Sequence, residues 1–174
     1  MHLRTGLTRL TRNILIMGIV TLTISTGTAS VSAAQHSEPK VVVTYSENKG
    51  LARVDTNAAG IDHGDLFHRE DAISSKLNGP VIGVSYSQAE VISHNPEANT
   101  DVRRVLIQIL LPKGRMYFTG ISELGRGSIP APGWTNVYAI LGGTGIYAGA
   151  RGTMTTRLLP DGKNWKSTAK YTLD

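Results

Sequence analysis

Tyr138-Ala-Ile-Leu-Gly-Gly-Thr-Gly-Ile-Tyr-Ala-Gly-Ala-Arg-Gly152 decides how this chain is read. An apolar run, Trp134 to Leu141, meets a cluster of glycines, and a second strand-like run, Thr153 to Leu159, follows. Glycine supplies the positive φ angles that tight turns need, so the stretch reads as a β-hairpin. Gly143, Gly145 and Gly149 also fall near the spacing of a dinucleotide-binding loop. That loop must open a helix whose N-terminus faces a pyrophosphate. Gly149, Gly152, Thr153, Thr155 and Thr156 make a poor helix, which argues against a nucleotide cofactor.

The rest of the chain follows the same pattern. Strand-like runs occur at Lys40 to Ser46, Asp65 to Ile73, Val81 to Ile92, Arg103 to Leu111 and Arg115 to Glu123. Trp134 to Leu141, Gly152 to Leu159 and Trp165 to Thr172 complete the set. Gly, Pro, Asn and Asp clusters separate them, and no convincing amphipathic helix intervenes. About eight evenly spaced strands predict an all-β fold: an eight-stranded antiparallel barrel with a central apolar pocket, or a sandwich. Eight strands enclose room for side chains or one small ligand. The long loops are Gly50 to Gly64 and Glu123 to Gly133, and the second is placed to cover a barrel mouth.

The N-terminus predicts the compartment. Arg4, Arg9 and Arg12 precede the apolar run Ile14 to Ile24, and small residues follow as far as Ala34. This is the order of a secretory signal peptide, assigned here to residues 1–33, with one domain at 34–174. The expectation is a secreted or cell-envelope protein with no stable membrane insertion after cleavage; the alternative is a retained anchor. Of 18 Lys+Arg and 13 Asp+Glu, three basic and no acidic residues lie in the leader. The domain therefore carries 15 against 13, a net charge of +2, and no basic stripe, which excludes a nucleic-acid partner. With no cysteine, it holds together without disulfides.

The hairpin Gly142-Gly-Thr-Gly-Ile-Tyr-Ala-Gly-Ala-Arg-Gly152 resembles the glycine hairpin of allene oxide cyclases and of their dirigent-protein relatives. Gly64-Asp65-Leu66 is similar to the start of an early cyclase strand, and Val43-Thr-Tyr-Ser-Glu-Asn48 to the first one. The resemblance implies an eight-stranded barrel whose pocket binds an elongated apolar molecule or radical and sets the geometry of its cyclisation or coupling. It also implies a homo-oligomer of two or three subunits. Bacterial barrels of this type include enzymes that fold polyketides into rings. In the first strand of the plant cyclases Glu and Asn stand two residues apart; here Ser46 and Asn48 take those positions, with Glu47 one step out of register. Either a bulge returns Glu47 to the interior or it faces solvent. Ser85 stands where the related pocket has cysteine.

These readings nominate Glu47, Tyr45 and Arg151 as catalytic groups, and Asn48, Ser85, Tyr86, Phe118, Trp134 and Tyr138 as ligand contacts. Tyr86, Gln88 and Glu90 share one strand face, and Ser85, Ser87 and Ala89 the other; either face suits an interior. A Tyr86 interior makes Glu90 an acid or base, and a small-residue interior leaves room for a ligand. His63, His68 and His94 sit near Asp62, Asp65 and Glu70 without metal-ligand spacing, and no GxSxG elbow occurs. No metal or other cofactor is expected. Three functions stay open: a cyclase-like isomerase that folds its substrate, a non-catalytic carrier of a small apolar or amphipathic ligand, and a structural oligomer.

Overall fold

The computed structural model describes residues 38–47, 51–56 and 60–174. The leader and Asn48 lie outside the described residues. The strands are β1 Lys40–Glu47, β2 Ala52–Val54, β3 Leu66–Ser74, β4 Val81–Asn95 and β5 Thr100–Leu111. They continue as β6 Gly114–Gly125, β7 Thr135–Gly143, β8 Ala150–Leu158 and β9 Asn164–Leu173. From β3 to β9 each strand pairs antiparallel with the next. β1 pairs with β9 on one side and, through Tyr45–Ser74 and Ser46–Ile73, with β3 on the other. That second pairing closes an eight-stranded barrel, as the run of strands predicts.

β2 is the ninth strand, in a segment whose composition reads as loop. It pairs with Leu66 to His68, along the stretch of β3 that β1 does not reach. An open strand edge exposes unpaired backbone groups, and β2 covers the first three residues of this one. Asp65 holds the arrangement. Its carboxylate accepts hydrogen bonds from the backbone N–H of Asp62 and Thr56, each at 3.0 Å, and from Arg53 Nη2 of β2 at 2.7 Å. These backbone bonds first, and the Arg53 charge next, hold its pKa below the usual carboxylate value against the opposing effect of burial. The Asp of Gly64-Asp65-Leu66 thus organises a loop, and its oxygens are occupied by protein donors.

The glycine hairpin closes one end of the barrel. Between β7 and β8 the chain makes a 3-10 turn, Gly145–Tyr147, rather than a bare two-residue turn. The turn docks on the neighbouring β5–β6 turn: Thr144 N–H donates to Arg115 O at 2.9 Å, and Ile146 N–H to Lys113 O at 3.1 Å. Two backbones meet here without room between them. A Cβ on Gly145, whose φ is +62°, would stand 2.1 Å from Lys113 O. Tyr147 turns inward and packs edge-on against Tyr171, centroids 6.0 Å apart. With Met116, Phe118, Ile140 and Ala150 they form an apolar plug across that end.

Candidate functional site

Period-two alternation decides what lines the interior. On β5, Asp101, Arg103, Val105, Ile107 and Ile109 are buried, while Arg104, Leu106 and Gln108 are exposed. On β4 the small-residue face turns inward: Ser85, Ser87 and Ala89 line a cavity, and Tyr86 is on the outside. That choice leaves space. The open space there, its mouth included, is about 860 Å³. Val105, Ile107, Ile109, Ile73 and Met154 form its apolar wall. Hydroxyls also line it, among them Thr156 and Ser167, whose oxygens are 3.1 Å apart.

The charged part of the lining comes from two inward arginines. Arg69 lies over the Trp165 ring, its guanidinium carbon 4.7 Å from the centroid, and its Nε is 2.7 Å from Asp71 Oδ2. The latter contact is close as an ion pair but not aligned as a hydrogen bond. Arg103 lies over Phe67 at the same 4.7 Å and reaches Asp101 at 3.4 Å. Burial lowers the Arg103 pKa, and Asp101 partly restores it. Behind this pair, His94 Nδ1 is 3.7 Å from Asp101 Oδ1. Asp71 and Asp101 stand outside the lining, so among the described residues no carboxylate or imidazole lines the cavity. Tyr138 does line it, and burial raises its phenol pKa, which keeps the group protonated at neutral pH.

The mouth carries a pinned loop. Gly127 N–H donates to Asp101 Oδ2 at 2.9 Å, and Arg103 Nη2 donates to Ser128 O at 2.7 Å. These bonds hold the segment between β6 and β7 so that Pro130 and Trp134 reach the cavity. Trp134 meets Trp165 edge-on at 6.0 Å.

The structure divides the nominated residues. Ser85, Trp134 and Tyr138 are brought together at the cavity. Phe118 is buried in the core that plugs the barrel, not in the cavity lining. Tyr86 is 40% exposed on the outer face. Glu47 and Tyr45 also face outward, because β1 pairs with β9 in unbroken register from Lys40 to Glu47 and no bulge turns Glu47 inward. They border a separate surface hollow with Ser74 and Asn164. Arg151 is on the outer face of β8, 3.8 Å from the Asp174 carboxylate, and donates to Leu141 O. Glu90 is on the outer face too, ion-paired with Arg104 across the strands. The sequence reading missed Arg69 and Arg103. The signal was available on β3, where Phe67, Arg69, Asp71 and Ile73 alternate on one face with two apolar residues at its ends.

No family model matches the chain, and no curated protein matches it in sequence. Solved structures do. A Diels–Alderase from Streptomyces koyangensis aligns over 82% of this chain and 72% of its own, with a TM-score of 0.61 and 16% identity. A pterocarpan synthase dirigent protein aligns over 87% and 97%, with a TM-score of 0.54 and 13% identity. The chain shares the fold of the cyclase and dirigent barrels. A pyocyanin demethylase also has it, over 75% of this chain and 98% of its own, with a TM-score of 0.57 and 20% identity. One barrel thus serves different chemistries, and the lining must distinguish them.

Proposed function

We propose that this barrel is exported, binds a small apolar or amphipathic molecule in its lumen, and directs the cyclisation or stereoselective coupling of that molecule. The observation that carries the reading is the lining itself: an apolar wall with hydroxyls and hydrogen-bond donors, and no carboxylate or imidazole among the described residues. Such a lumen has no built-in pair for general acid–base work. It can hold one reactive conformation and exclude water, and ordering alone supplies much of the barrier reduction for a ring closure. The basic, apolar and small-residue leader supports export. The cyclase and dirigent barrels that share the fold support the class of reaction.

The same lining suits a carrier, since binding needs no acid–base pair either. Native mass spectrometry of protein from its source identifies the bound molecule, and incubation with its open-chain or uncoupled precursor then separates the two readings. A cyclase yields one stereoisomer faster than buffer does. Ser87→Phe, which fills the lumen, abolishes that product, whereas Glu47→Gln and Arg151→Ala keep turnover within about twofold, as expected of surface substitutions. A precursor whose product ratio and rate equal those in buffer refutes catalysis and leaves the carrier.

A further inference from the structure

Among the described residues, three buried donors on cavity-lining residues make no hydrogen bond: Arg69 Nε–H, which has the Asp71 carboxylate close by, and two that have no carboxylate at Nε or Nε1, on Arg103 and Trp165. Trp165 is 5% exposed and Arg103 3% exposed, and both line the lumen. Among the described residues, neither Trp165 Nε1–H nor Arg103 Nε–H has a hydrogen-bond partner. A buried donor left unmade is costly, and native structures rarely keep one without a use. Both positions are otherwise well fixed. Trp165 is held between the edge of Trp134 and the Arg69 guanidinium, and Arg103 is held by Phe67, Asp101 and Ser128 O.

Charge then decides the kind of acceptor. Arg69 faces Asp71, and Arg103 faces Asp101. The two positive and two negative charges cancel, so the lumen offers N–H groups without a spare positive charge. A carboxylate entering it would bring an uncompensated charge into a poorly solvated space. A carbonyl oxygen brings none and accepts without needing an acceptor of its own.

We propose that the lumen selects apolar molecules bearing a neutral carbonyl oxygen, which Trp165 Nε1–H and Arg103 Nε–H hold and polarise. The proposal rests on the reading of the lumen as a ligand site and specifies the substrate class: an apolar ketone, enone or lactone rather than a fatty acid or an amine. Hydrogen bonds to the carbonyl draw electron density from a conjugated alkene and stabilise charge that grows on the oxygen during reaction. In a cycloaddition across that alkene two carbon–carbon σ bonds form at the expense of two π bonds. Nothing leaves the molecule, and no oxidant or reductant is consumed.

The test uses the full chain and three naphthalenes of similar shape: 2-acetylnaphthalene with a 13C-labelled carbonyl, 2-ethylnaphthalene and 2-naphthoate. Affinities come from titration calorimetry, and the hydrogen bond from the infrared stretch of the labelled carbonyl. The ketone should bind with its stretch shifted below the value in hexane. Trp165→Phe removes one N–H and keeps a ring; it should weaken the ketone about fivefold, move the stretch back toward hexane, and leave 2-ethylnaphthalene unchanged. Arg103→Lys should act in the same direction. An unshifted stretch, equal losses for ketone and hydrocarbon, or tighter binding of 2-naphthoate than of the ketone would overturn the proposal, while hydrocarbon binding in those cases upholds the lumen as a ligand site. Failure of all three compounds to bind would overturn both.

Discussion

Three glycines separate two reasons for a glycine, and their alanine variants should rank accordingly. Gly127 has φ +70° and open space around its missing Cβ. Gly127→Ala therefore carries only the left-handed backbone cost, about 1 kcal/mol. Gly143 has no positive φ, but a Cβ there would stand 2.5 Å from both Arg115 O and Tyr147 O. Both carbonyls belong to the docked turns and must give way, an overpacking cost of about 2 kcal/mol. Gly145 combines the two: φ +62°, and a Cβ 2.1 Å from Lys113 O, the acceptor of the Ile146 N–H bond at 3.1 Å. Strain, crowding and the loss of that hydrogen bond sum to about 4 kcal/mol. For a domain of this size, about 3 °C in Tm corresponds to 1 kcal/mol. Thermal melts should thus fall by about 3, 6 and 12 °C for Gly127→Ala, Gly143→Ala and Gly145→Ala. Equal losses in all three, or a Gly145→Ala melt within 2 °C of the parent, would refute the argument that the motif exists to let two backbones touch.

Two further outcomes follow from the ion pairs. Asp101→Ala should free the mouth loop, because it removes the acceptor of Gly127 N–H and the partner of buried Arg103; hydrogen exchange at Gly127 should speed up at least tenfold and stability fall by about 3 kcal/mol, and unchanged exchange would mean the loop is held elsewhere. Asp65 has a depressed pKa, so its contribution to stability is present above the unfolded value near 3.9 and is lost as pH falls through the lower folded value. Denaturant melts from pH 5 to pH 2 should therefore show a steeper loss in the parent than in Asp65→Asn, and parallel curves would assign the acid sensitivity to other carboxylates.

The sequence and the structure agree where local rules decide. Seven of the strand-like runs needed only β-branched, apolar or alternating composition and turn residues. The eighth, Asp65 to Ile73, looks mixed because its polar residues face inward as well as outward: Arg69 and Asp71 sit on the same face as Phe67 and Ile73. A buried ion pair breaks the hydrophobic alternation that marks a strand. β2 is invisible in composition for a different reason. Its three residues are all exposed, and they form a strand only because β3 presents a vacant edge.

The site was harder to read than the fold. Glu47, Tyr45 and Arg151 were nominated by their nearness to recognisable motifs, yet nearness along the chain does not choose a face. One step in register moves a side chain from lumen to solvent, and β1 runs without the bulge that would reverse it. Trp134 and Tyr138 share a strand face and both reach the cavity, whereas for Ser85 and Tyr86 the sequence left either face open and the fold turned Ser85 inward. Arg103, between Val102 and Arg104 in an apolar run, carried no sign of which way it points until β5 took its place beside β4 and β6.

By itself, the sequence determined the eight strands of the barrel, the turns and the glycine hairpin, because these depend on backbone angles and on neighbours a few residues away. The tertiary structure alone decided which face of each strand became the lumen, that two arginines and a tryptophan point into it, and that Glu47 does not. Those outcomes depend on barrel closure: only when β1 meets β3 does each strand acquire an inside, and the inside belongs to the face whose volumes fit together.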